Sequence, residues 1–295
     1  GIDSLKPLTP AARLRKLNFV QNDVRDLAPL AGKAAMEELE FDGNLVASLE
    51  PVTGMKSLRL LHASNNHLAS LAPLAGLDRL ESLRASHNDL ALLNGLNDCT
   101  ALRRLDLAHN RIRDLVPLTR LVKLEELRLS ENSITNLAPL RTLTGLKMLS
   151  LGHSKVVDLS PLAGMTALRE LDLTGNAVTS LRGLEHCAAL EVLNLSGNSV
   201  TDLSPITRLT RLRELRLNGN RVASLVPLRG LTNLVHLDLA GNQAVDLSPL
   251  VFLRSLKSLN LDHNGIATLQ GLEGCRALEN ISLARNSITS FEPLR

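Results

Sequence analysis

An α/β solenoid carrying one parallel sheet is the fold class this sequence predicts, and three observations predict it. The first is a sentence, seen in Leu124-Glu-Glu-Leu127-Arg-Leu129-Ser-Glu-Asn132-Ser-Ile134-Thr-Asn-Leu137-Ala-Pro139-Leu140, that recurs every 22 residues about thirteen times without insertion or deletion. The second is an asparagine column (22, 44, 66, 88, 110, 132, 176, 198, 220, 242, 264 and 286) broken only at Ser154. The third is an apolar content that is nearly all leucine, with no Trp, no Tyr and four Phe. A 22-residue unit cannot bury its own leucines and does so only against its neighbours, so residues 1–295 read as a single quasi-linear solenoid, not two globules. The opening Ile2, Leu5, Pro7 and Leu8 match half a repeat, and neither end carries a recognisable cap.

Each unit starts with leucines spaced three and then two apart, as Leu102, Leu105 and Leu107. That spacing predicts a short strand whose last two leucines face inward while Arg104, Asp106 and Ala108 face outward. All units run in one direction, so the strands form a parallel sheet. The asparagine after the strand satisfies backbone groups that the turn leaves unpaired. Ser154, shorter and with fewer hydrogen-bonding groups, is the predicted weak rung. The return segment carries a proline at 7, 29, 51, 73, 117, 139, 161, 205, 227, 249 and 293, which suits a 3₁₀ turn or extended piece and leaves no room for a full α-helix. Gly95, Gly183 and Gly271 replace it in three units, each followed four residues later by Cys99, Cys187 or Cys275. Phe19, Phe41 and Phe291 stand in leucine slots and are expected in the core.

The cysteines are four repeats apart, roughly 19 Å at ~4.8 Å per strand, beyond disulfide reach. They read as buried thiols and favour a cytoplasmic or other intracellular location. A net charge of +3 over 63 charged side chains argues for no polyanionic partner, and the absence of exposed aromatics removes a stacking platform for nucleic acid. No apolar run reaches the ~18 residues of a membrane span. There is no HExxH, CxxC, GxSxG or Walker-type loop, so neither catalysis nor a small-molecule substrate or cofactor is expected. His87 and His109 share a column with no further ligand to complete a tetrahedral site, so no metal is expected.

The pattern Leu-x-x-Leu-x-Leu-x-x-Asn-x-Ile/Val-x-x-Leu-x-Pro/Gly-Leu resembles the leucine-rich repeat family in its 22-residue form, shared by SDS22-like regulatory subunits of protein phosphatase 1 and by internalin-like bacterial proteins. The resemblance implies a horseshoe with a concave parallel β-sheet, a convex side of 3₁₀ or irregular segments, and a partner protein docked on the concave face. Units such as Leu181-Arg-Gly183-Leu184 look like the phosphatase regulators; the Asp-Leu-Ser-Pro units at Asp158, Asp202 and Asp246 look like the internalins. The sequence departs from both in offering no aromatic anchor at outward strand positions.

The outward positions are therefore the candidate partner-binding residues: the acidic Glu38, Glu40 and Asp42, the apolar Leu60, Met148 and Val192, and His62, Glu170, Asp172, Asn194, Glu214 and His236. Charges elsewhere on this face are expected to neutralise one another. Arg84, Asp106 and Arg128, and Arg216 with Asp238, alternate on neighbouring strands and predict lateral pairs. Arg15, Glu37, Arg59, Glu81, Arg103, Glu125 and Lys147 predict a second ladder at the lip before the strands. Gly175, Gly197, Gly219 and Gly241, ahead of the asparagine, read either as lowering one wall of the sheet for a partner or as serving the turn's backbone. The function this supports is a non-enzymatic protein-interaction scaffold, like a phosphatase regulatory subunit. The alternatives are the ligand-binding segment of an internalin-like adhesin and the recognition domain of a larger enzyme.

Overall fold

The computed structural model describes residues 1–294, which divide into two compact units, Gly1–Leu149 and Ser150–Arg295. Both are built on three-residue strands at the predicted phase. The first unit holds β1 Lys16–Asn18, β2 Glu38–Glu40, β3 Leu60–His62, β4 Ser82–Arg84, β5 Arg104–Asp106 and β6 Glu126–Arg128. β7, Met148–Ser150, falls at the division. The second unit holds β8 Glu170–Asp172, β9 Val192–Asn194, β10 Glu214–Arg216, β11 His236–Asp238, β12 Ser258–Asn260 and β13 Asn280–Ser282. Within each unit neighbouring strands are parallel and pair residue i with residue i+22, as Lys16 with Glu38 in the first and Glu170 with Val192 in the second. Uniform repeat length is what holds this register, because a single inserted residue would turn every inward leucine outward.

Eleven 3₁₀ turns among the described residues each contain one of the prolines, from Lys6–Leu8 in the first unit to Glu292–Leu294 in the second. Proline presets φ for the turn and gives up an N–H that no strand needs. An Asp or Ser two residues before the turn often caps it: Asp202 Oδ1 accepts the Ser204 N–H at 2.8 Å, Asp246 the Ser248 N–H at 2.9 Å, and Ser70 Oγ the Ala72 N–H at 3.1 Å. Hydrogen bonds from the Ser204 and Ser248 hydroxyls and N–H groups hold both carboxyls below the usual aspartate range. The Asp-Leu-Ser-Pro phrase is thus a turn cap.

The leucine columns are buried without exception through the interior of both units. The three cysteines lie among them as free thiols whose Sγ atoms face carbonyl oxygens, Cys99 toward Leu74 O at 3.5 Å and Cys275 toward Leu250 O at 3.3 Å. Burial pushes the Cys99 thiol up to about 12 and those of Cys187 and Cys275 to about 11, so none is nucleophilic near neutrality. Phe19 and Phe41 stack with ring centroids 5.7 Å apart. Phe291, expected in the core, is instead 64% exposed. In a stack each rung is covered from both sides, and Phe291 follows the last described strand, where only one side is covered.

One buried residue breaks the apolar pattern. Lys33 occupies the slot filled by Met55 and Leu77 in later repeats, is 3% exposed, and points its Nζ at three carbonyls, Leu8 O at 2.9 Å, Ala11 O at 3.1 Å and Thr9 O at 3.2 Å. A cation there satisfies acceptors that leucine would leave bare.

Candidate protein-binding face

Every strand ends on an outward residue, and the chain then turns sharply. The residue just before the asparagine column is left-handed throughout: Gly43, Gly175, Gly197, Gly219 and Gly241 have φ between 63° and 67°, and Gln21, Asn65, His87, His109, Glu131, His153, His263 and Arg285 have φ between 51° and 57°. The four consecutive glycines are therefore explained by the turn, since side-chain-bearing residues adopt the same conformation elsewhere at a cost of about 1–2 kcal/mol. The asparagine locks this turn. Asn220 Nδ2 donates to Leu195 O, Leu217 O and Asn218 O at 2.8, 2.9 and 3.5 Å, while its Oδ1 accepts the Val200 N–H at 2.9 Å. Ser154 does not replace this set: its Oγ is buried without a hydrogen-bond partner.

The last strand position carries a second role that the sequence reading missed. Asp106, Asp172, Asn194, Asp238 and Asn260 each accept, through Oδ1, the N–H two residues on, at 3.0–3.1 Å. These side chains close the strand ends as Asx turns. The signal in the sequence is Asp or Asn recurring at one phase, which the alternation of Arg and Asp at that phase masks.

That corrects the expected lateral pairs. Arg84, Asp106 and Arg128 do not bridge across strands, nor do Arg216 and Asp238. Arg128 instead reaches Glu126 on its own strand at 3.3 Å and Arg216 reaches Glu214 at 2.6 Å. The carboxylates at 106 and 238 are engaged by backbone, so each arginine turns to the glutamate two residues earlier, which shares its face. The lip ladder does form. Arg59 meets Glu81 at 2.8 Å, Arg103 and Lys147 both meet Glu125 at 2.6 and 2.5 Å, and Arg15 meets Glu37. Hydrogen bonds from Lys147 and then Arg103 hold the Glu125 carboxyl below its ordinary range. Such solvent-screened pairs contribute little to stability.

In the first unit, Glu38 is bridged to Lys16 at 2.7 Å, Glu40 faces His62 Nδ1 at 3.1 Å, and Asp42 Oδ1 accepts the Ser64 N–H at 2.6 Å. Leu60 and Met148 lie half-buried on the same outward rows. His62 is 8% exposed and its Nε2 is buried without a partner. Among the described residues Arg84 and Arg104, both exposed, have no carboxylate within ion-pair distance.

In the second unit, Glu170, Val192, Glu214 and His236 sit side by side in one row, and Asp172, Asn194, Arg216 and Asp238 in the next. Asp172 also receives the Thr174 hydroxyl at 2.6 Å. A shallow cavity of about 340 Å³ is lined by Glu214, Arg216, His236, Leu237, Asp238, Ser258 and Asn260. This row is acidic, with Arg216 its one cation. His87 and His109, on neighbouring turns, stack at 3.9 Å. Among the described residues no group of three or more His, Cys, Asp or Glu is arranged to hold a metal ion, and no helix is long and apolar enough to cross a membrane.

Residues 78–120, 100–142, 122–164, 166–208, 210–251 and 254–295 match the profile described as Leucine Rich repeats (2 copies). No match was found among curated proteins. The crystal structure of an internalin, InlF, from Listeria monocytogenes is 27% identical over 97% of this chain and 85% of its own, with a TM-score of 0.93. Internalin C2 of the same organism is 30% identical over 73% of this chain and 84% of its own, with a TM-score of 0.55. The protein LIC12759 of Leptospira interrogans shares the fold at 24% identity, with a TM-score of 0.83 over 98% of this chain and 83% of its own.

Proposed function

The chain belongs to the leucine-rich repeat family, and on that premise we propose that it is a non-enzymatic scaffold whose partner protein docks on the outward face of the sheet. One observation carries this reading. Most charges at the lip are spent on one another, whereas the outward rows keep exposed Arg84, Arg104 and Glu170 without ion partners and leave Leu60, Met148 and Val192 half-buried. With no aromatic anchors, affinity comes from many polar contacts around those few apolar ones.

The likeness to InlF supports a second reading, the ligand-binding segment of a bacterial surface protein. The reading as a phosphatase regulatory subunit rests on the glycine repeats alone, and an intracellular location rests on the three free thiols. The test is partner capture by the protein and by a variant with Glu38, Glu40, Asp172 and Glu214 changed to lysine. Capture should fall at least tenfold, and should weaken between roughly 50 and 500 mM salt as screening shortens from about 14 to 4 Å. Capture unchanged by the substitutions removes the outward face from consideration.

A further inference from the structure

From β2 to β5 the first unit's outward face changes charge sign over a definite length, Lys16 already bridging Glu38 at one end and Asp106, engaged by the Ala108 N–H, lying among the arginines at the other. On β2 and just after it stand Glu38, Glu40 and Asp42; on β4 and β5 stand Arg84 and Arg104, without a carboxylate partner among the described residues. Between them the floor is low and small. Ser82 is 3% exposed, Ser64 7% and His62 8%, and Leu60 offers a half-buried apolar side chain. The floor also contains an unmet polar atom. A carboxylate only accepts, so His62 gives its Nδ1–H to Glu40, and Nε2 remains buried with no partner in the fold.

We propose that this face receives an extended segment of a partner protein bearing a lysine or arginine at one end, an apolar residue two along and an aspartate or glutamate two beyond that, in either chain direction. β2 and β5 are three strand spacings apart, about 14 Å at ~4.8 Å each. Residues i and i+4 of an extended chain point to the same side and stand about 14 Å apart at ~3.4 Å per residue. The basic residue therefore lies over Glu38 and Glu40 while the acidic one reaches Arg84 and Arg104, and residue i+2 falls near Leu60. Incoming cation and anion each meet the opposite sign, whereas a uniformly charged segment is repelled at one end. The buried serines and His62 keep the floor flat enough for a backbone to approach. This rests on the reading of the outward face as the docking surface and specifies the partner's chemistry there.

The experiment is selection from a displayed library of random nonapeptides with the full chain as bait. Wild type should enrich opposite charges four residues apart, in either order, at least fivefold over like charges. E38K/E40K should select acidic peptides instead, R84E/R104E basic ones, and the fourfold exchange E38K/E40K/R84E/R104E should restore the opposite-charge preference. Should a reversed variant not fold, E38Q/E40Q serves, and must lose the preference for the basic residue while keeping the acidic one. Like-charge selection by wild type, or a preference that survives both pairwise reversals, overturns the proposal. If enrichment is lost on E170K/E214K instead, the outward face stands and the dipolar site falls. If enrichment answers to neither set, both fall.

Discussion

Eleven return segments of this chain and three others solve the same closing problem with opposite residues. Where proline stands, as at Pro205 in Ser204–Ile206, the return segment makes a 3₁₀ turn. Where Gly95, Gly183 and Gly271 stand, no such turn forms, and φ is 101°, 106° and 106°. A Cβ at these three would lie 2.2, 2.2 and 2.3 Å from Leu71 O, Leu159 O and Leu247 O, at the start of the preceding repeat's proline turn. Glycine therefore lets a flat segment press onto a turned one. Proline tolerates its site through a preset φ, while glycine is demanded by a backbone contact that no side chain survives.

The largest way to break this contrast is Gly183→Ala. Strain at positive φ and overpacking against backbone together cost roughly 2–6 kcal/mol, read as a fall in denaturation midpoint, whereas Gly230→Ala, with 3.6 Å to Thr207 O, should be close to neutral. Next are the thiols that accompany the glycines. Each folded-state value is raised above 9.0, so the unfolded chain releases protons first. The thiols' contribution is intact below pH 9 and is lost as pH rises toward 11–12, at up to about 1.4 kcal/mol per pH unit and thiol. Urea melts at pH 8 and 10 should show that slope, and Cys99→Leu should reduce it.

The asparagine column runs through both kinds of repeat and fails at Ser154. Ser154→Asn should gain about 1 kcal/mol by supplying the missing bonds, and amide exchange around Ser154 in wild type should outpace that around Asn220. Pro205→Ala should cost only about 0.4–1 kcal/mol, mostly through a freer unfolded chain. The smallest effect belongs to Glu185, whose carboxylate accepts the Gly183 N–H at 2.6 Å and is held below its ordinary range by backbone hydrogen bonds. Its folded value is depressed, so its contribution is present above about pH 4.5 and disappears as pH falls through the lowered value. Glu185→Gln should flatten that part of the acid limb.

Much of the fold was legible because a period of 22 with no slips leaves one register. The strand phase, the inward leucines, the proline turns, the buried cysteines and the lip pairs, Arg59 with Glu81 and Arg103 with Glu125, all follow from it. The candidate site was legible only as a set of outward positions. Which of those side chains are committed internally depends on competition between partners at similar distances. Asp106 chose the Ala108 N–H over Arg84, and that preference is a matter of ångströms that spacing does not encode.

The sequence by itself determined where each residue of the repeat stands, because inward leucines and a constant repeat length admit a single pairing. It also marked Ser154 as the odd rung. Only the tertiary structure decided that the glycines before the asparagine serve a left-handed turn, that Phe291 is exposed, that Lys33 is a buried ligand of three carbonyls, and that Arg84 and Arg104 are left unpaired. Those outcomes turn on short-range geometry between residues about 22 apart, where a hydrogen bond to backbone outcompetes a screened surface charge.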